Sequence, residues 1–437
     1  MKIYLELKMI TNKMINTNNL LRILSLFITF VCTTAVIAQE KSKDTITVYK
    51  KKVLESTEVD LLMSYYTQDG DNAAVTGGIG TEELTDLTPT IVVSIPLNDD
   101  DVLTIDASVS AYTSASSSNV NPFDGEGVAD PFVASSGASQ EDVLTTLATS
   151  YSHSSDDRND IWSVNAAIAS EYDYFSIGFG GGYTKLFNEK NTEISVKGNV
   201  FLDTWNAIYP SELRDQPSFI PFEDESRNSY SLGLGFSQIL SEKLQGSLAL
   251  DIIHQEGLLS TPFQRVQFAD VTDFNIPGQP FVYGDDIERL PETRFKIAAG
   301  GRLHYYINEI FVIRTFYRYY TDNWGINSHT ASIEVPVKIT DQFTIYPSYR
   351  YYQQTAADYF APFNEHLSTQ KFYTSDYDLS DFDAHQYGFG ISYTDILTKF
   401  HIWKFRFKSV DLRFNQYERS TGLTASIVSG GLSFVVE

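Results

Sequence analysis

Cysteine is almost missing: Cys32 is the single one in 437 residues. It lies in an apolar run, Ile23 to Val36, that follows a basic lead ending at Arg22 and precedes Val36-Ile37-Ala38. That order predicts a secretory signal over residues 1–38, removed after Ala38. Val31 is too large to precede a lipid-modified cysteine, so Cys32 is expected to leave with the signal. The secreted chain then has no disulfide, no thiol nucleophile and no thiolate metal site. A later run of about 20 apolar residues is also missing, which excludes a membrane-spanning helix in residues 39–437. Positive charge is scarce: 32 Lys and Arg stand against 56 Asp and Glu, a formal net charge of −24. Such a chain repels phosphate, so nucleic acid is not an expected partner. Gly-x-Ser-x-Gly and His-Glu-x-x-His are both absent, and the seven histidines are scattered. The expectation is a protein that is not an enzyme. A hydrolase at the rim, using His254, His329 or His385 near strand ends, ranks third among the functional readings.

What is present is alternation. Leu103, Ile105, Ala107 and Val109 alternate with Thr104, Asp106, Ser108 and Ser110. Phe295, Ile297, Ala299, Leu303 and Tyr305 alternate with Arg294, Lys296, Arg302 and His304. Successive side chains of a strand point to opposite faces, so period two predicts a sheet with one apolar and one polar face. About sixteen such segments fit between Glu58 and Val436, with roughly fourteen to eighteen allowed by boundary slippage. Tight turns such as Asn98-Asp99-Asp100 and Asn188-Glu189-Lys190-Asn191 join alternate pairs. Long connections near 68–88, 114–142, 207–227, 256–292 and 355–385 join most of the others. Short turns on one rim and long loops on the other are the layout of periplasmic turns and extracellular loops in an outer-membrane barrel. The expectation is all-β: a single transmembrane antiparallel β-barrel over residues 57–437, behind a periplasmic tail at 39–56. Its place is the outer membrane of a Gram-negative bacterium, and its partners are outer-membrane lipid and the barrel-insertion machinery. In the fifteenth segment Phe405 and Phe407 share one parity, and Val410, Leu412 and Phe414 share the other. That phase change predicts a β-bulge near Lys408-Ser409.

The polar face is uneven. Early segments carry mainly small neutral residues, whereas later ones carry Arg294, Lys296, Arg302, Arg314, Arg318, Arg350, Lys404, Arg406 and Lys408. The long loops are acidic, with Asp285, Asp286 and Glu288 in one and Asp376, Asp378, Asp381 and Asp383 in another. A basic lumen wall sets anion preference in an open pore. The same wall also suits an acidic loop folded inward, because arginine pairs carboxylates in a bidentate fork. The second reading is preferred: a channel or binding barrel whose basic lumen is constricted by acidic loops. Asp376, Asp378, Asp381, Asp383 and His385 form the densest set of ligand-type residues. Oxygen ligands suit calcium, and a neutral histidine admits a transition metal. The spacing misses the calcium loop of helix-loop-helix proteins. A turn-rich segment whose aspartates cap amides or pair with lumen arginines is the preferred reading, with no cofactor expected. Gly77-Gly78-Ile79-Gly80 lacks the rest of a phosphate-binding fingerprint and predicts a tight turn.

Three segments carry a family resemblance. They are Ser64 to Thr81, with Tyr65-Tyr66, Asp69-Gly70-Asp71 and Gly77-Gly78-Ile79-Gly80; Pro347 to Phe360; and Tyr373 to Ser380. They resemble the signature segments of an uncharacterised outer-membrane β-barrel family, domain-of-unknown-function family 3570, common in Bacteroidota. The resemblance runs over essentially the whole secreted chain and implies a barrel with no established activity. It also implies a redox or metal-handling context, with periplasmic redox proteins as partners. A metal- or redox-linked accessory barrel using the 376–385 loop is therefore the second functional reading. The C-terminus departs from the usual barrel ending, since Val435-Val436-Glu437 follow Phe434.

Overall fold

The computed structural model describes residues 51–113, 142–210, 213, 219–223, 225–271, 284–396 and 400–436. The expected signal at 1–38 and most of the expected tail lie outside the described residues, as does most of the connection at 114–142. Strands β1 (Thr57–Asp69), β2 (Leu84–Pro96), β3 (Asp101–Tyr112), β4 (Asp142–Ser154) and β5 (Asp160–Ser170) open the sheet. They are followed by β6 (Tyr174–Phe187), β7 (Thr192–Trp205), β8 (Ser226–Ser241) and β9 (Leu244–Gly257). Two three-residue strands, β10 (Arg265–Gln267) and β11 (Asp285–Ile287), pair only with each other. The sheet resumes with β12 (Thr293–Tyr306), β13 (Val312–Asp322), β14 (Asn327–Glu334), β15 (Val337–Lys338) and β16 (Phe343–Gln354). It ends with β17 (Phe382–Thr394), β18 (His401–Ile402), β19 (Phe405–Arg419) and β20 (Thr424–Val436).

Neighbours in sequence pair antiparallel, and β20 pairs back onto β1 from Thr57↔Val436 to Asp69↔Thr424, closing a barrel of sixteen strands. β14 and β15 are one strand in two pieces, both laid on β16. The break falls at Val335-Pro336, where proline has no amide to give the ladder. β18 is a short arm folded back on the start of β19.

Alternation decides the faces. Leu61, Met63 and Tyr65 in β1, Leu232, Leu234 and Phe236 in β8, Tyr387 and Phe389 in β17, and Leu412 and Phe414 in β19 are all exposed. The register stacks these side chains on the outer surface, as Leu61↔Leu432 and Leu234↔Leu250 illustrate. The register shift between Phe407 and Ser409 is the bulge expected there, and it keeps Phe405 and Phe407 on the same side as Leu412. Two boundaries differ most from the sequence expectation. β2 starts at Leu84 rather than Pro89, and the β2–β3 ladder simply steps from Leu87↔Ala111 to Thr90↔Ser108 around the proline. β17 starts at Phe382 rather than Gln386, so Asp383 and His385 are strand residues. Lys404 stands exposed in the turn before β19 and is not part of the barrel wall.

Much of the deepest burial lies outside the wall, although Ile253 and Thr330 within it are each only 1% exposed. Val266, Ile287, Glu288, His366 and Thr374 are each at most 1% exposed, and all belong to the connections between β9 and β12 or between β16 and β17. Bridges Phe268↔His366 and Arg289↔Tyr373 join these two connections, and the Phe268 and Tyr373 rings meet edge to face at 5.1 Å. Enclosing polar groups this completely requires that each be hydrogen-bonded. His366 meets the requirement, with Nε2 2.8 Å from the Thr374 carbonyl and Nδ1 2.9 Å from Gln370 Oε1. Where β9 enters this loop body, Gly257 adopts φ +102°, and a Cβ there would stand 2.1 Å from the Ser226 carbonyl oxygen. Gly257→Ala is therefore expected to destabilise the barrel by about 2 kcal/mol or more. The loss is read as a lower temperature for the heat-induced mobility shift on gels, and an unchanged temperature would contradict it.

Candidate functional site

The inner face is divided by charge. Across β12 to β19 it carries Arg294, Lys296, Arg302, Arg314, Arg318, Arg350, Arg406, Arg413 and Arg419. Across β1 to β9 it carries Asp60, Asp86, Asp106, Asp203 and Asp251, with Lys197 and Arg227. Several arginines are paired within the wall. Arg294 Nη2 lies 2.5 Å from Asp322, which ends the neighbouring strand. Glu334 bridges two arginines, Arg314 at 2.9 Å and Arg413 at 2.8 Å. The Arg302 guanidinium stands over the Phe316 ring. Arg350 has no hydrogen bond or ion pair among the described residues, is exposed, and shares the inner face with Arg318 two strands away.

Burial changes along the barrel axis. Ser64, Ser229, Ser328, Thr330 and Ser429 face inward in the half nearer the long loops, and each is at most 5% exposed although small. Side chains that size are enclosed only if other parts of the chain occupy the space beside them. Toward the short-turn rim Arg314 is exposed to the lumen, and Arg350, nearer the middle of β16, is exposed as well. Part of the cover over the small side chains is the wall itself, since Thr330 stands between Arg318 and Tyr352, and at the long-loop rim part is loop. Gln354, on the inner face of β16, donates from Nε2 to the carbonyls of Asp378 at 2.9 Å and Ser380 at 2.6 Å. Gln68 of β1 donates to the Glu82 carbonyl at 2.9 Å. Arg419 of β19 donates from Nη1 to Asp378 Oδ1 at 2.8 Å, with its guanidinium 4.2 Å from the Phe382 ring centre. Gly77, Gly78 and Gly80 all have positive φ, and a Cβ at Gly78 would stand 2.7 Å from the Ser375 carbonyl oxygen. The glycine run is thus a tight turn pressed onto the 355–381 connection.

The loop acids divide among different partners. Asp285 pairs with Arg265 and Asp286 with Arg289, two loop arginines that the wall-centred sequence reading overlooked. Their spacing among the acids was the available signal, since Asp286 and Arg289 are only three residues apart. Glu288 is enclosed: Oε1 accepts from the Thr261 amide at 2.7 Å and Oε2 from Thr374 Oγ1 at 2.5 Å. Burial, then the charge of Asp376, pushes its carboxyl up to about 8. Asp376 accepts from Gln264 Nε2 at 3.1 Å and from the Asp378 amide at 2.9 Å. Burial, then Asp378, raises Asp376 as well. Glu82 is pushed up to about 7 by burial and then by Asp378.

The five residues considered as metal ligands are not brought together. Asp376 and Asp378 stay in the loop body beside Arg419, and Asp381 is exposed. Asp383 and His385 lie on the outer face of β17, 3.5 Å apart, with His385 Nδ1 2.7 Å from Tyr349 Oη. The cause is the early start of β17: its period two turns Asp383 and His385 outward while Phe382 and Ala384 turn in. His329 likewise faces outward, 2.7 Å from Tyr317 Oη, and His254 stacks against Tyr230.

Among solved structures the chain is similar to a bacterial polysaccharide outer membrane secretin, at 10% identity and TM-score 0.44, covering 87% of this chain and 98% of that one. It is similar to a Pseudomonas aeruginosa FadL homologue at 11% identity and TM-score 0.39, covering 88% and 91%. It is similar also to Pseudomonas aeruginosa OccK2 (OpdF) at 10% identity and TM-score 0.36, covering 88% and 99%. No curated protein matches it in sequence. The family model described as "Protein of unknown function (DUF3570)" matches residues 28–432, and the chain belongs to that family.

Proposed function

We propose that the protein is an outer-membrane channel or solute-binding barrel whose lumen is held shut at the long-loop end by its own folded loops. The observation that carries this reading is loop chain bound to the inner wall at the long-loop end, where Gln354 and Arg419 hold Asp378 and Ser380, while Arg314 stands open toward the short turns. The membrane assignment rests on the outer surface, where large apolar side chains recur on strand after strand around the barrel. A continuous apolar belt of this kind belongs in lipid rather than water. Short turns then face the periplasm and the closed end faces outward.

In this reading the solute is small and anionic. It meets Arg350 and Arg318 on one wall, opposite the carboxylates of β1 to β9. The opposed charges set a field across the lumen that favours an anion near the basic side. Arg350→Glu is expected to move the reversal potential of single openings, under a salt gradient, toward cation preference. A reversal potential that stays at the wild-type value would remove Arg350 from the selective wall.

A further inference from the structure

Three carboxylates meet at the long-loop rim. Asp142 is the first residue of β4, and Glu171 and Asp173 lie in the three-residue turn between β5 and β6. One carboxylate oxygen from each lies within 4.8 Å of the other two. The scaffold comes from register. Tyr112 at the end of β3 sits opposite Asp142, and its hydroxyl donates to Glu171 Oε1. The Asp173 carbonyl accepts from the Asn206 amide at 2.7 Å, tying the turn to the end of β7.

Asp173 separates this cluster from an ordinary acidic turn. It is 4% exposed, it contributes one of the three clustered oxygens, and its Oδ1 is buried with no hydrogen-bond partner among the described residues. Burial and the like charge of Asp142 raise its carboxyl to about 6, and burial raises Glu171 to about 8. A buried carboxylate oxygen without a donor is costly, and two like charges nearby make it more so. A proton shared between Glu171 and Asp142 relieves part of the repulsion but leaves Asp173 Oδ1 without a partner. A cation relieves both.

We propose that Asp142, Glu171 and Asp173 bind one hard divalent cation, with water completing its shell. Three carboxylates, with no nitrogen or sulfur donor beside them among the described residues, suit calcium or magnesium. Ligands drawn from a strand end and a turn favour calcium, which accepts irregular geometry, over magnesium, which demands a near-ideal octahedron. The bound ion pins the β5–β6 turn to the start of β4 and stiffens that sector of the rim. It is independent of the lumen and of the channel reading.

The test uses the full-length protein folded in detergent micelles and stripped with chelator. Calcium titrated in a calorimeter is expected to give one saturable site, weakened about tenfold or more in Asp173→Asn and in Glu171→Gln. Asp381→Asn, at an exposed position outside the cluster, is expected to keep the wild-type affinity. Magnesium is expected to bind more weakly than calcium. The gel mobility shift reports barrel folding for each variant. A wild-type protein that takes up no calcium overturns the proposal whatever the variants do. So does calcium affinity that survives intact in folded Asp173→Asn or Glu171→Gln protein.

Discussion

Arg419→Ala is expected to turn a barrel that is mostly closed into one that opens often. Arg419 projects from the end of β19 into the lumen, bonds Asp378 at 2.8 Å and stacks on Phe382 at 4.2 Å. Its charge also acts on Glu82 and Asp376, so one guanidinium offsets three carboxylates of the loop body. Alanine leaves those carboxylates facing one another. Asp378 is about half exposed, with a side-chain exposure of 48%, so solvent screens part of the effect. With that discount the loss is about 2 kcal/mol against the closed loops, including the stacking on Phe382. That corresponds to a rise of about thirtyfold in the open-to-closed ratio. Arg419→Lys keeps the charge without the planar fork and is expected to fall between the two. Single-channel recordings of both variants supply the measurement, and an open fraction equal to wild type in Arg419→Ala would contradict the role given to the pair.

The second large effect is a dependence of loop closure on pH. Glu288 and Glu82 are held near 8 and 7 in the folded protein, well above an ordinary glutamate, chiefly by burial. A carboxyl raised in this way keeps its proton in the closed loop body and has lost it in the opened one. Closure is therefore favoured most at or below the ordinary glutamate range, near pH 4.5. It weakens as pH rises from there to about 8, and changes little beyond. Asp376 is raised for the same reason and acts in the same direction. Cleavage within residues 355–381 by an added protease, scaled to an unstructured reference peptide, is expected to be about tenfold or more faster at about pH 8.5 than at about pH 5.5. Glu288→Gln keeps an acceptor for the Thr261 amide and a donor for Thr374 Oγ1, so it should flatten much of the slope. Cleavage that slows as pH rises would be the wrong sign and would refute the assignment.

The wall was legible because period two is a local signal that lipid contact and sheet pairing both enforce. Tyr174–Phe187 and Thr293–Tyr306 follow directly from their alternation, and the parity change at Phe407 located the bulge. Strand ends were less legible. Asp383 and His385 look like loop residues by type, yet they ride outward on β17 because Phe382 and Ala384 claim the inner face. The loop body was hidden for another reason. Its core of Val266, Ile287, Thr374 and buried Glu288 comes from connections nearly ninety residues apart, and no periodicity announces them. The inner wall of β1 to β9 was read as small and neutral, which passed over Asp106 and Asp251 standing among serines and glycines. The Asp142, Glu171 and Asp173 cluster is assembled purely by register, from a strand start and a turn that no spacing rule links.

Closure of an otherwise continuous barrel by its own folded loops is what distinguishes this protein from an open pore. Planar-bilayer recording of the purified full-length protein tests it most directly. The expected trace shows long closed periods broken by brief openings that prefer anions, longer at high pH and far more frequent in Arg419→Ala. A wide, steady conductance from the moment of insertion, indifferent to pH and to Arg419, would contradict it.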